Sequence, residues 1–494
     1  MKKIAILFLL FSFLISMTSC GKINVPEETV PVESSLPETE KTVPVISYPT
    51  DGTDYIRLPD GVRPEMLFAD FWLDLDKTEE TALMNPSEIT AFNQANSNLI
   101  TWGEENISLN DIPETATKDV LLSYIDTAIP SEPEKYHIHG EPATAAYFEA
   151  LNENRAIDKI EETEEIRFGY SVKRAELRLY PTDDFGVIDP DDLVYDDLLM
   201  SQCYPYCPLV ILHESRDGNW YYVFFNGFGG WVRADAVAVC ESREDWLARQ
   251  NPEEFLIVTG REIRLPHDEG CPEVSELLLP MGTKLPLVKP ENTPEKIRMR
   301  IGYGCFTVKV PVRGENGLLR DEYVLVSSAE DLSVGYLPYT HKNVVRLAFR
   351  LLGDRYGWGG SGLSNDCSGT LREIYACFGI ELPRVAALQI ACKGLTVTDL
   401  SELSDVDKAK TISGLPIGSM LFFPGHIMIY IGTVDGVNYV ISSVGNFADA
   451  KTPVGETMEV NTYCINNLEA TFRANGKTWL ANLTKAGFPA PSNP

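Results

Sequence analysis

Tyr356-Gly-Trp-Gly-Gly-Ser-Gly-Leu-Ser-Asn-Asp-Cys-Ser-Gly-Thr-Leu-Arg-Glu-Ile-Tyr375 passes from a glycine-rich turn into an amphipathic helix. Leu371, Ile374, Tyr375 and Phe378 recur at helical spacing, and Gly379 can close the helix end. The spacing predicts a helix over 368–378 with Cys367 at its start. A thiol there feels the positive end of the helix dipole, which favours thiolate, the nucleophilic form. The alternative is a buried core thiol, as expected for Cys377. Polar Asp366 and Ser368 oppose it, and the preceding glycines let a substrate backbone approach closely.

A nucleophilic cysteine needs a base that takes its proton and later protonates the leaving amine. Downstream of Cys367 the chain has a single histidine, His426, which follows Pro424-Gly425 and opens the strand-like run His426-Ile-Met-Ile-Tyr-Ile-Gly432. In a strand His426, Met428 and Tyr430 share one face. The three isoleucines claim the core from the other face, which turns His426 toward a cleft. The turn Asp435-Gly436 then leads into Asn438–Asn446. A simple two-residue hairpin there puts Ser443 on the His426 face, and Asn446 is a further polar candidate for orienting the imidazole.

Outward from this centre the periodicity changes. Val344, Val345, Leu347, Ala348 and Leu351 form a helix face ahead of the glycine-rich turn, so the C-terminal part reads as an α+β domain. Before it, apolar stretches at 166–172, 175–179, 209–212, 220–225 and 230–232 alternate with period 2 between turn signals, as in a small β-barrel. Leu209–Leu212, the hairpin Asp217-Gly-Asn-Trp220 and Gly230-Trp-Val232 resemble a bacterial SH3 domain. A second β-rich stretch, with Lys284–Val288, Phe306–Val312 and Asp321–Val326, reads as another SH3-like barrel without the Gly-Trp closure. Between 55 and 149 the spacing is helical, with Ser87 as a candidate N-cap and helices expected over 117–128 and 144–152.

Tyr356-Gly-Trp-Gly-Gly, Asp366-Cys-Ser-Gly, Leu382-Pro-Arg-x4-Gln389 and Gly425-His-Ile-Met-Ile-Tyr-Ile-Gly resemble the NlpC/P60 cysteine peptidases over residues 340–450. The resemblance implies a papain-like α+β catalytic domain that hydrolyses peptidoglycan stem peptides, usually between γ-D-Glu and the diamino acid. It implies Cys367 as nucleophile, His426 as base, and Asp366, Ser368 and Tyr356 at the substrate, Tyr356 near the oxyanion. The third catalytic position aligns on Ser442, where the family often has histidine. A weaker orienting group implies slower turnover rather than none. In relatives with a preceding SH3 barrel, that barrel binds a free N-terminal L-Ala through acidic and tyrosine groups. Phe228 and Asp197 correspond here, and Asp366 could also pair the ammonium. The implied architecture is α+β and multidomain: a mainly helical N-terminal domain (53–160), SH3-like barrels at 161–245 and 246–335, and the catalytic domain at 336–490. No metal or organic cofactor is implied.

The 494 residues carry 72 acidic against 42 basic side chains, a formal charge of −30. That excludes the basic surface a nucleic-acid binder uses, and docking on anionic lipid by basic patches. A hydrophobic content of 44% excludes a wholly disordered chain. Met1-Lys-Lys, an apolar run to Met17 and Thr18-Ser-Cys20 read as a secretory signal (1–19), and the end resembles a bacterial lipobox with Cys20 lipidated. Residues 20–52, rich in Pro, Glu, Thr and Ser, read as a disordered tether. The expected place is therefore outside a bacterial membrane, lipid-anchored, facing wall or periplasm. The expected partners are stem peptides or muropeptides. Nine further cysteines show no CxxC pair, and His137-Ile-His139 lacks a third ligand, so no metal site is expected. Two other readings stand beside the peptidase. One is a catalytically weak wall-binding lipoprotein, the other a CHAP-type amidase.

Overall fold

The computed structural model describes residues 52–491. The expected signal sequence (1–19), the expected lipidation at Cys20 and the expected tether up to residue 51 lie outside the described residues. Among those described, no helix is long and apolar enough to cross a membrane.

The segment 53–160 contributes four short helices, α1 (Ala69–Leu75), α2 (Pro86–Ala95), α3 (Lys118–Ile125) and α4 (Ala145–Asn154), with short strand pairings between them. Asn85, not Ser87, caps α2. Its side chain accepts from the Ser87 and Glu88 amides while Glu88 reaches back to the Asn85 amide. Pro86 then takes the first helical position, where a missing N–H is harmless. The expected helical domain is not a unit with its own core. Met66, Trp72, Leu73, Met84 and Phe92 belong to the core of the C-terminal domain. Ile100, Ile112, Ala116, Leu121, Ile125 and Ile160 pack on the outside of the first barrel. The reason is the small buried content of each helix: α1 buries Trp72 and Leu73, α2 only Phe92. Helices this short gain their stability from what they lie on.

The first barrel is built from β1 (Arg167–Ser171), β2 (Ala175–Arg178), β3 (Leu199–Cys203), β4 (Pro208–Glu214), β5 (Trp220–Phe225), β6 (Phe228–Arg233) and β7 (Val237–Val239), in the order β3-β2-β6-β5-β4-β1-β7, all antiparallel. Along β5 the alternation serves two cores. Tyr221, Val223 and Phe225 face inward. Trp220, Tyr222 and Phe224 face the coat supplied by 100–160. Trp246 of α5 (Arg243–Ala248) donates its indole N–H to the Gly169 carbonyl at 3.1 Å and closes the outer core.

The second β unit is less continuous than an SH3-like barrel reading suggests. β8 (Phe255–Val258), β9 (Glu262–Arg264), β10 (Leu278–Pro280), β11 (Lys284–Pro286), β12 (Cys305–Arg313), β13 (Leu319–Ser327) and β14 (Leu332–Val334) form three separate sheets, β11-β8-β14, β9-β10 and β12-β13. They share one core of Leu256, Val258, Leu279, Leu285, Val308, Val310, Val324 and Val326.

The C-terminal domain holds α6 (His341–Phe349), α7 (Cys367–Ala376), α8 (Ala386–Gln389), α9 (Asp405–Ser413) and α10 (Trp479–Asn482) around a six-stranded antiparallel sheet. The strands are β15 (Leu395–Asp399), β16 (Met420–Phe423), β17 (His426–Val434), β18 (Val437–Phe447), β19 (Met458–Asn467) and β20 (Lys485–Pro489), in the order β15-β20-β16-β17-β18-β19. α7 lies against β17 and β18. Both faces of β17 are buried: Met428 and Tyr430 are as enclosed as Ile427, Ile429 and Ile431. On the covered side, Trp72 of α1 sits where a Cβ on Gly432 would stand. His426 is therefore reachable because it is the first residue of its strand, not because one face of the strand is open.

Candidate active site

The turn before Cys367 is held open by its glycines. Gly360 has φ +102°, and a Cβ there would lie 2.2 Å from Cδ of Gln202, so only glycine lets β3 of the barrel touch this loop. Barrel side chains then grip the loop. Arg174 donates to the Leu363 and Ser364 carbonyls at 2.6 and 2.5 Å. Gln202 and Tyr204 donate to Oδ1 of Asn365, each at 2.9 Å.

Asp366 caps α7. Its Oδ1 accepts the Gly369 amide at 2.8 Å and the Ser368 hydroxyl at 3.1 Å, and its Oδ2 accepts the Gly359 amide at 3.2 Å. Arg384 closes a buried two-point pair on the same carboxylate, at 2.9 and 2.5 Å. Nη1 of Arg384 also donates to Ser368, and Nε to Ser201 of β3. Burial opposes the Asp366 charge, but the Arg384 guanidinium holds its carboxyl below the usual carboxylate range. Asp366 and Ser368 thus flank Cys367 as its scaffold, and the carboxylate is neutralised before any substrate ammonium could meet it.

Cys367 and His426 line one cleft of about 570 Å³. The backbone N–H of Ile427, next to His426, faces the Cys367 sulfur. Nε2 of His426 lies 3.0 Å from the Ser442 hydroxyl, which leaves Nδ1 as the nitrogen for the thiol. The ring is boxed by Trp479 and Phe423, with centroids at 5.1 and 5.5 Å. Burial and then the Asp366 charge push the Cys367 thiol up to about 12, against the pull of the Ile427 amide. Burial and then the Arg473 charge push His426 down to about 3. Both shifts oppose the thiolate that the helix dipole favours. A helix terminus contributes ~0.3–1 kcal/mol, and desolvation of a buried group outweighs that.

Ser442 rather than Ser443 meets His426 because of one extra residue. The Asp435-Gly436 turn has φ of 53° and 82°, the two-residue type with both values positive. Val434 pairs with Val437 and Gly432 with Tyr439, but Tyr430 then pairs with Val440. Ile431 is the bulge, and it shifts the register by one. Carried on, Ser442 falls opposite Met428, on the His426 side. Ser443 donates to the Asn365 carbonyl at 2.8 Å instead, and Asn446 lies 3.5 Å from the Tyr195 hydroxyl.

Tyr356 and Phe228 both line the cleft. Asp197 does not: it is exposed and accepts the Ile188 amide at 2.8 Å. A further residue from the barrel segment that reaches the site is Tyr195, which sequence reasoning missed. It packs on Tyr356 and Trp358 with centroids at 5.9 and 5.4 Å, and Asp192 fixes its loop through the Val194 and Tyr195 amides. Trp479 and Arg473, far along the chain, were also unassigned. The only sequence signal for Tyr195 was an aromatic inside an aspartate-rich loop. Elsewhere, His139 pairs with Asp184 at 2.9 Å, and no cluster of metal-ligating side chains occurs among the described residues. A larger hollow of about 1390 Å³ between α2, the barrels and α7 is lined by no cysteine or histidine.

Residues 353–455 match the model of the NlpC/P60 family, and residues 188–233 match the SH3 domain of SH3b1 type. The chain therefore joins an NlpC/P60 peptidase-family domain to an SH3-like domain. Among curated proteins, dipeptidyl-peptidase 6 of Lysinibacillus sphaericus is 31% identical over 133 residues, 27% of this chain and 42% of that protein. A solved NlpC/P60 endopeptidase of Photobacterium damselae subsp. piscicida has the same fold, with a TM-score of 0.62 at 17% identity, over 92% of this chain and all of that one. An NlpC/P60 family protein of Bacillus cereus ATCC 10987 aligns over 65% of this chain and 98% of its own, at 18% identity and a TM-score of 0.42.

Proposed function

We propose that the chain is a cell-wall cysteine endopeptidase that cuts peptidoglycan stem peptides between γ-D-Glu and the diamino acid. The observation that carries this is that Cys367 and His426 line one cleft, with the buried Ser442 hydroxyl 3.0 Å from Nε2 of the imidazole. The family match and the peptidase relative support the reaction class.

In the proposed reaction Nδ1 of His426 takes the thiol proton as Sγ of Cys367 bonds to the scissile carbonyl carbon. The tetrahedral intermediate collapses, the C–N bond breaks, and the imidazolium gives its proton to the leaving amine. A water deprotonated by the same imidazole attacks the thioester, releasing the acid and restoring the thiol. Ser442 accepts the Nε2 proton's hydrogen bond throughout and keeps the tautomer in which Nδ1 is basic. A thiol shifted up and an imidazole shifted down fit this scheme, because the proton moves in the step that forms the S–C bond. The lipobox-like start supports action outside the membrane, tethered through Cys20.

The test is digestion of L-Ala-γ-D-Glu-diamino-acid peptides, read by mass spectrometry. The wild-type chain is expected to release L-Ala-γ-D-Glu, and Cys367→Ala to release none. Equal release by Cys367→Ala would remove the reading.

A further inference from the structure

Three charged side chains line the cleft: Asp366, Arg384 and Arg473. The first two neutralise each other. Arg473 has no carboxylate partner among the described residues, in a chain where acidic side chains outnumber basic ones by 72 to 42. Its guanidinium stacks over the Phe423 ring at 4.7 Å, and Nη2 lies 4.0 Å from where a Cβ on Gly425 would stand. Stacking fixes the guanidinium plane and leaves its N–H edge free for a carboxylate in that plane.

The position decides which part of a substrate it meets. The leaving nitrogen must receive its proton from His426, so the leaving residue lies beside the groups that surround His426. Those are Phe423, Gly425, Arg473 and Trp479. The barrel side, with Tyr195, Phe228, Tyr356 and Trp358, is left for the acyl part. Within the peptidase reading, on which this step rests, we infer that Arg473 selects the leaving diamino acid. It takes the carboxylate at the end of the diaminopimelate side chain, which offsets the ammonium on the same carbon; lysine presents that ammonium alone and is repelled. The cleft adds no second unpaired charge that would favour lysine.

The test compares L-Ala-γ-D-Glu-meso-diaminopimelate with L-Ala-γ-D-Glu-L-Lys, on the wild-type chain and on Arg473→Gln, Arg473→Lys and Arg473→Glu. The wild type is expected to favour the diaminopimelate peptide at least tenfold in kcat/KM, the range of a charge-assisted pair. Arg473→Gln should collapse that ratio toward one, chiefly by raising KM for the diaminopimelate peptide. Arg473→Lys should keep part of it, and Arg473→Glu should invert it. If Arg473→Gln leaves the ratio untouched while both peptides are cut, the inference is overturned and the peptidase reading stands. If Arg473→Gln instead loses a wild-type preference for D-Glu over its α-amide, Arg473 reads the acyl residue and the inference is equally overturned. Wild-type chain that cuts neither peptide overturns the peptidase reading itself.

Discussion

Burial pushes the Cys367 thiol up, and that has a measurable pH signature. A thiol pushed up to about 12 is alkylated through a thiolate fraction that grows tenfold per pH unit below that value. The iodoacetamide rate at Cys367 is therefore expected to climb steadily from pH 6 to pH 9. A plateau already reached below pH 7 would mean a preformed thiolate–imidazolium pair. At this scale the two residues that share the cleft were legible, because a lone downstream histidine and a cysteine at a helix start are local signals. The orienting hydroxyl was not legible from hairpin geometry, which points to Ser443. The bulge at Ile431 has no sequence mark, and only the family resemblance pointed to Ser442. The upward shift of the thiol was not legible, because burial and the neighbouring carboxylate are tertiary facts.

The N-terminus of α7 is built around the buried pair of Asp366 and Arg384. Removing one partner of such a pair leaves an uncompensated charge and costs about 3–5 kcal/mol. Arg384→Met is thus expected to lower the urea-unfolding free energy by about that amount, and adding Asp366→Asn should recover part of it. A loss under 1 kcal/mol would show that the pair is not what holds the loop. Arg384 was visible within Leu382-Pro-Arg-x4-Gln389, but its role was not. Eighteen residues separate it from Asp366, and an unpaired aspartate beside a nucleophile reads as a substrate contact. The helix itself was legible to within two residues, since its apolar stripe and its glycine stop are written in the chain.

For the whole molecule, period-2 stretches located the first barrel, and the return of helical spacing located the final domain. The N-terminal segment was misread because short helices look alike whether they build a core or cover one. Trp72 tests the difference. It is 1% exposed, donates to the Met66 carbonyl at 2.8 Å, and packs on Tyr439 of β18 with centroids at 5.4 Å. Trp72→Ala is expected to destabilise the final domain by about 3–5 kcal/mol, read by denaturation followed at the Cys367 thiol. A change confined to the N-terminal segment, with that thiol still protected, would restore an independent helical domain. The shared core also fixes an order of events. A nascent chain that has delivered α1 but not β17 and β18 holds Trp72 without its seat, and the domain of Cys367 stays unfinished until these distant segments are present together. Contacts spanning several hundred residues form slowly, so the cleft around Cys367 is expected to form late in folding.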